Sequence, residues 1–166
     1  MSPIEPFLAA SRHGFSISSA ELVVCGIAGL LTLLCVLFHY EVMSWSSRLI
    51  PRLGLVRRPR IVVLILAILV AHVVEVWVFG VTYWLLDRAP ELGQLQGNFE
   101  EGLLDFVYFS VTSYTTLGFG DMVPSGAIRI LCGTEALMGL SLMTWSASLA
   151  FLEMQRDWGE FSNRQE

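Results

Sequence analysis

One short stretch of the chain combines oxygen-bearing side chains with regularly spaced glycines. It reads Thr-Thr-Leu-Gly-Phe-Gly-Asp over residues 115–121, with Gly118 and Gly120 two positions apart. Glycine adopts left-handed backbone conformations at little cost, so this spacing lets successive carbonyl groups point to one side. The Thr116 hydroxyl and the Asp121 carboxylate add oxygen atoms at the two ends. The predicted chemistry is binding of a cation by oxygen atoms, and the alternative is a glycine-rich turn.

This stretch resembles the selectivity filter of potassium channels, in which four copies of such a segment line a pore with backbone carbonyls. The resemblance implies that the side chains of Leu117 and Phe119 turn outward against neighbouring pore helices. It places Asp121 at the outer mouth. The expected ligands are permeant K⁺ ions and no other cofactor. The implied ion-coordinating filter is Thr116, Leu117, Gly118, Phe119 and Gly120, with K⁺ at the first four.

The composition indicates that the chain lies in a membrane. Of its 166 residues, 54% are hydrophobic, and the mean hydropathy is +0.62, which is unusual for a soluble domain. A helix of about 20 apolar residues crosses a bilayer, and the stretches Leu22–Phe38, Ile61–Leu86 and Ile130–Leu152 are long enough. The segment 103–115 would reach only about 20 Å as a helix. The predicted fold is an all-α membrane protein with three transmembrane helices, a re-entrant pore helix and a filter loop.

Non-helical backbone is stable at membrane depth only where it contacts protein or water. One chain supplies a quarter of the ring that the resemblance implies, so we expect a homotetrameric pore. The whole chain resembles small prokaryotic ion channels with three transmembrane helices and one pore loop. The predicted organisation is an N-terminal part (1–60) with the first transmembrane helix and a basic linker, a pore module (61–154) and a short tail (155–166). Within the module we expect an outer helix (61–86), a pore helix (103–115), the filter (116–121) and an inner helix (127–154).

The distribution of charge predicts the orientation. Five of the ten basic residues lie between Glu41 and Arg60, whereas the loop from Asp87 to Asp105 is acidic. Basic loops stay on the cytoplasmic side, so we expect a multi-pass cell-membrane protein with its N-terminus outside and its C-terminus cytoplasmic. The basic linker is a topology signal, and it is also a candidate site for anionic lipids; no nucleic-acid partner is expected. The arginines concerned are Arg48, Arg52, Arg57, Arg58 and Arg60.

The chain departs from the potassium-channel pattern in the pore helix. Many such channels have a carboxylate there that braces the outer aspartate, but here that position is Thr112 and the nearby aromatic position is Tyr108. The support behind the filter must therefore differ from the usual one.

Three ionisable residues in the predicted spans suggest a replacement. His72 and Glu75 share a helix face, and Glu135 reaches a similar depth in the third span. Intramembrane charges are costly and usually face protein or water. We expect a polar network of these residues and pore-helix hydroxyls that holds the filter conducting and makes it pH-sensitive. The alternatives are purely structural interhelical hydrogen bonds and a metal site.

The third span holds the candidate gating residues. Gly139 lies midway along it, where the potassium-channel resemblance implies a hinge and close helix packing is the alternative. Trp145 and Leu149 are candidates for a hydrophobic inner gate. For Trp145 the alternative is packing against the outer helix or lipid.

These observations together predict a potassium-selective channel with a tetrameric TLGFGD filter and no enzymatic activity. A less selective monovalent cation channel is the alternative within transport. A non-conducting regulatory membrane subunit is the alternative outside it.

Overall fold

The computed structural model describes residues 17–49 and 57–162. This part of the chain contains helices α1 (Ser19–Leu49), α2 (Arg57–Leu86), α3 (Leu103–Tyr114) and α4 (Ile128–Ser162). A 3₁₀ turn (Pro90–Leu92) and two short strands, β1 (Leu95–Gly97) and β2 (Met122–Pro124), lie in the loops that flank α3.

Three of the helices are long and apolar enough to cross a membrane: Ser19–Leu49, Pro59–Leu86 and Ile128–Arg156. Helix α3 has only 12 residues, which corresponds to about 18 Å. The all-α membrane fold predicted from the sequence is confirmed. The tetramer stays a prediction.

The helix starts follow local signals. At the start of α1, the Ser18 amide donates to the Glu21 carboxylate at 2.7 Å, and the Glu21 amide donates to the Ser18 hydroxyl at 3.2 Å. This reciprocal pair is a capping box, which satisfies amide groups that a helix start leaves free. At the start of α3, the Asp105 carboxylate accepts from the amides of Glu100 and Gly102, both at 3.2 Å.

Three helices extend further than the apolar stretches predicted. Helix α1 continues to Leu49, beyond the expected end at Phe38, and α4 continues to Ser162, into the predicted tail. Helix α2 begins at Arg57, before the expected start at Ile61. An apolar stretch ends at its first polar side chains, whereas helical backbone hydrogen bonds do not depend on apolar side chains. The N-terminal residues 1–16, the central residues 50–56 and the last residues 163–166 lie outside the described part, and so does Arg52.

The short helix α3 lies between α2 and α4, and α1 packs against α4 and α2. Strand β1 pairs antiparallel with β2, with Leu95 opposite Pro124 and Gly97 opposite Met122. This pairing ties the loop that enters α3 to the segment that leaves residues 115–121. The candidate filter is therefore held at both ends, by α3 before it and by the strand pair after it.

Candidate functional site

The loop that follows α3 folds back onto the end of that helix. The amides of residues 116–118 donate to the carbonyl oxygens of Ser113 and Thr112, at distances between 2.8 and 3.1 Å. In a trans peptide unit the carbonyl points away from the amide hydrogen. The carbonyl oxygens of residues 115–117 therefore point away from α3, toward the open side of the loop.

Positive φ recurs at every second residue of the loop. The values are +59° at Thr116, +51° at Gly118 and +81° at Gly120. Alternation of right- and left-handed conformations gathers the amide groups on one side of a chain, here around the Thr112 oxygen. The carbonyl groups then occupy the opposite side, as cation binding requires.

Thr116 was predicted as a source of a hydroxyl, but its backbone was not predicted to be unusual. A β-branched residue at positive φ is an outlier, and such strain costs on the order of 1–3 kcal/mol. The three hydrogen bonds from the amides of residues 116–118 to α3 hold this conformation. Strained backbone of this kind is concentrated at functional sites.

The outer end of the loop is held by Tyr108. Its hydroxyl donates to the Asp121 carboxylate at 2.9 Å, and that bond is the main reason why the pKa of Tyr108 lies above its ordinary value. Thr112 acts differently, because its hydroxyl bonds to the Phe109 carbonyl within α3 at 2.9 Å. Of the two residues at the brace positions, Tyr108 contacts Asp121 through its side chain, and Thr112 holds the loop through its main chain.

A buried cluster centred on Glu75 lies behind the loop; we call it the Glu75 cluster. One carboxylate oxygen lies 2.9 Å from His39 Nδ1. The other accepts from the Tyr114 hydroxyl and lies 3.3 Å from His72 Nδ1. The Ser146 hydroxyl lies 2.8 Å from His39 Nε2 and 3.3 Å from His72 Nε2. His39 and Glu75 are 0% exposed, and the five side chains come from all four helices.

Glu135 belongs to a second set of contacts, the Glu135 cluster. It is 0% exposed and accepts from the Tyr83 hydroxyl at 2.6 Å and from the Ser110 hydroxyl. The Ser110 hydroxyl also lies 2.9 Å from the Val76 carbonyl oxygen. The two clusters together fix α3 against α2 and α4.

His72, Glu75 and Glu135 were predicted to form one network, but the structure divides them between these two clusters. Their partners His39, Tyr83 and Ser146 were not predicted. The signal for His39 was an ionisable side chain directly after the predicted end of the first span at Phe38. Because α1 continues through this position, His39 lies inside a helix and faces the other three.

Three donor residues in the Glu75 cluster lie close enough to hold a metal ion. Ligand atoms of His39, His72 and Glu75 all lie within 4.8 Å of one another. Each of the four histidine ring nitrogens already has a hydrogen-bonding partner in the cluster. Glu135, which the metal hypothesis included, bonds to other groups. The geometry therefore favours a hydrogen-bonded cluster.

Gly139 lies where α4 meets the end of α3. A Cβ atom at this position would meet the carbonyl oxygen and the ring of Tyr114, and α4 is continuous through it. This contact supports the packing role. The hinge stays a prediction.

Replacing Gly139 by alanine is expected to destabilise the protein by about 1–3 kcal/mol, because the added methyl overpacks a rigid backbone contact. Thermal unfolding in detergent micelles measures the effect. Gly133→Ala is the matched control, since a Cβ at Gly133 meets nothing within 4 Å. Equal melting temperatures for the two variants would contradict the packing role.

The two candidate gate residues contact helices of their own chain. The Trp145 ring lies 6.3 Å from that of Tyr40 and 5.9 Å from that of His39, between centroids. Leu149 packs against Leu64 and Ile68. Both contacts favour packing on α1 and α2. The inner gate stays a prediction.

Comparison with known proteins identifies a family for the greater part of the chain. The model of a family described as "Ion channel" matches residues 61–156. These residues include most of α2, all of α3 and the 115–121 loop, and most of α4, whereas α1 lies outside them. No curated protein and no solved structure matches the chain.

Proposed function

The chain belongs to the ion-channel family, and from this premise we propose that it conducts potassium selectively through a pore lined by the 115–121 loop. The observation that carries this proposal is the alternation of positive φ at Thr116, Gly118 and Gly120. With the amides bound to α3, the carbonyl oxygens are left to face a cation. Oxygen ligands of this kind replace the hydration shell of K⁺.

The electrostatics of α3 support a cation as the permeant ion. The loop follows the C-terminal end of the helix, where the macrodipole carries partial negative charge. The Asp121 carboxylate lies at the other end of the loop, at the proposed outer mouth, where it raises the local concentration of cations. Both ends of the loop therefore attract positive charge.

Two exposed apolar side chains in the loop support assembly into a homotetramer. In the single chain Leu117 is 56% exposed and Phe119 is 65% exposed, although both are apolar side chains on non-helical backbone. Such backbone at membrane depth has to be covered by protein or to line water. Four copies around one axis would cover the outward side chains and leave the carbonyl oxygens facing the axis.

One face of α4 suits a water-filled cavity below the filter. It carries the exposed hydroxyl residues Ser141, Thr144 and Ser148. Each hydroxyl donates to the carbonyl four residues earlier, at 2.8, 2.8 and 3.0 Å. A hydroxyl face tolerates water better than the leucine-rich and valine-rich exposed faces of α1 and α2. We place this face toward the pore.

We further propose the cell membrane as the site of action, with the N-terminus outside and the acidic loop 87–105 outside as well. The basic linker that follows α1, with Arg48 at its start, then lies at the cytoplasmic surface. Arg48 is exposed there and is free to meet anionic lipid head groups. Arg60 lies 3.8 Å from Glu153 of α4, so its charge is paired with a carboxylate of the same chain.

Reconstitution of the purified protein in liposomes tests the proposal. Under an imposed ion gradient we expect K⁺ flux at least about tenfold larger than Na⁺ flux, because the filter oxygens replace the hydration shell of K⁺. Equal fluxes would favour the less selective cation channel. Absence of flux would favour a regulatory subunit. Liposomes without protein are the control.

A further inference from the structure

The helix that lies outside the family match contacts the helices around the filter loop. Helix α1 is not part of residues 61–156, yet its His39 is 0% exposed. His39 Nδ1 lies 2.9 Å from an oxygen of Glu75 on α2, and Nε2 lies 2.8 Å from the hydroxyl of Ser146 on α4. One side chain of α1 therefore bonds to both of the helices between which α3 lies.

These two contacts hold in more than one protonation state. A protonated Nδ1 donates to an ionised carboxylate, and an unprotonated Nδ1 accepts from a protonated carboxyl group. The Ser146 hydroxyl can likewise donate to Nε2 or accept from it. His39 therefore fixes the position of the Glu75 side chain whichever of the two groups carries the proton.

Glu75 connects His39 to the end of α3. The last torsion of a glutamate side chain is broad, so hydrogen bonds decide how the carboxylate is turned. His39 holds one oxygen of Glu75. The other oxygen accepts from the Tyr114 hydroxyl and lies 3.3 Å from His72 Nδ1. Without His39 the carboxylate is free to turn, and the Tyr114 hydroxyl loses a fixed acceptor.

Tyr114 lies where a displacement of its side chain reaches the loop. It is the last residue of α3, and its ring and carbonyl pack directly against Gly139 of α4. The carbonyl groups of Thr112 and Ser113, just before it, accept from the amides of residues 116–118. A shift of Tyr114 therefore moves the acceptors that hold the loop in its alternating conformation.

We propose that α1 positions the filter through the contacts from His39 to Glu75 and from Glu75 to Tyr114, and that His39 is a positioning residue for ion selectivity. This role rests on the proposed channel function. Selectivity for K⁺ depends on the placement and field strength of the filter oxygens. A displaced Tyr114 therefore lowers it, and a helix outside the pore module contributes to the choice of ion.

Liposome flux tests the role of His39. His39→Leu keeps a side chain of similar size and removes both hydrogen bonds. We expect its ratio of K⁺ to Na⁺ flux to fall at least about threefold below that of the unmodified chain, which is within the effect of one lost hydrogen bond. His39→Gln supplies a donor and an acceptor in one amide, so its ratio should return toward the unmodified value.

Tyr114→Phe tests the other end of the connection by removing one hydroxyl group. It should lower the flux ratio about as much as His39→Leu does. Because His39 acts through Tyr114, the double variant should show no further decrease. Effects that multiply in the double variant would overturn the proposal. So would a flux ratio that Tyr114→Phe leaves unchanged, and this result decides the matter even if His39→Leu does not fold.

Met43→Ala is the control for a merely structural role of α1. Met43 lies one turn after His39 in α1 and is 5% exposed. Its truncation should lower the melting temperature in detergent micelles and leave the flux ratio unchanged. A ratio that falls as far as in His39→Leu would show that any loss of α1 packing acts on the filter, and it would overturn the specific role of His39.

Hydrogen exchange in lipid nanodiscs separates this proposal from the channel function. The amides of residues 116–118 should exchange at least about threefold faster in Tyr114→Phe and in His39→Leu than in the unmodified chain, because their acceptors are held less well. If exchange is faster but the unmodified chain gives no flux, the channel function fails and the connection from His39 stands. If K⁺ flux is selective while exchange and flux ratio are the same in all three chains, the connection fails and the channel stands.

Discussion

Replacing Gly118 by alanine is expected to reduce K⁺ flux strongly while leaving the helices folded. The backbone at Gly118 has φ +51°, a left-handed conformation that costs residues with a side chain about 1–2 kcal/mol. A Cβ there meets nothing within 4 Å, so the cost is conformational and not steric. In the proposed tetramer it recurs in four copies, and about 1.4 kcal/mol already corresponds to a tenfold effect. We expect a loss of flux of at least about tenfold.

Gly29→Ala is the control for this experiment. Gly29 lies in α1, where an added Cβ also meets nothing within 4 Å, and the helical backbone accepts alanine readily. This variant should keep its flux. Gly120 has φ +81°, and Gly120→Ala should behave like Gly118→Ala. Normal flux through either filter variant would contradict the proposed role of the 115–121 loop.

Replacing Glu75 by alanine is expected to cause the largest loss of stability in the chain. Removal of the carboxylate leaves His39, His72 and the Tyr114 hydroxyl without their common acceptor, in a cluster that holds four helices together. Each buried polar group left without a hydrogen-bonding partner costs about 1–3 kcal/mol. We expect much lower yields of folded protein and a lower melting temperature in detergent micelles.

Two further variants make this result specific. Glu75→Gln keeps one oxygen acceptor, so it should lose less stability than Glu75→Ala. Glu91→Gln removes a carboxylate from an exposed residue in the 3₁₀ turn and should change the melting temperature little. If the alanine variant unfolded at the same temperature as Glu91→Gln, the Glu75 cluster would not stabilise the fold.

The parts of this protein that were predictable depend on residues close together in the chain. The 115–121 loop is recognisable from consecutive residues, and the three spans from continuous apolar stretches. The ends of the helices were less predictable. A polar residue such as His39 interrupts an apolar stretch without ending the helix, so α1 was expected to end at Phe38 and continues to Leu49.

Most partners of the buried carboxylates could not be predicted from the sequence. His39 bonds to Glu75 across 36 positions of the chain and to Ser146 across 107. Tyr83 and Glu135 are 52 positions apart. Sequence spacing shows which residues share one helix face, as with His72 and Glu75. It does not show which faces of different helices meet.

The sequence by itself determined the apolar spans, the short re-entrant helix and a loop whose glycines permit alternating backbone conformations, because these are properties of neighbouring residues. Only the tertiary structure decided that α1 contributes His39 to a cluster behind that loop, and that the end of α3 packs directly against Gly139. Those contacts depend on the rotation and depth at which separate helices pack, which the whole set of side chains fixes together.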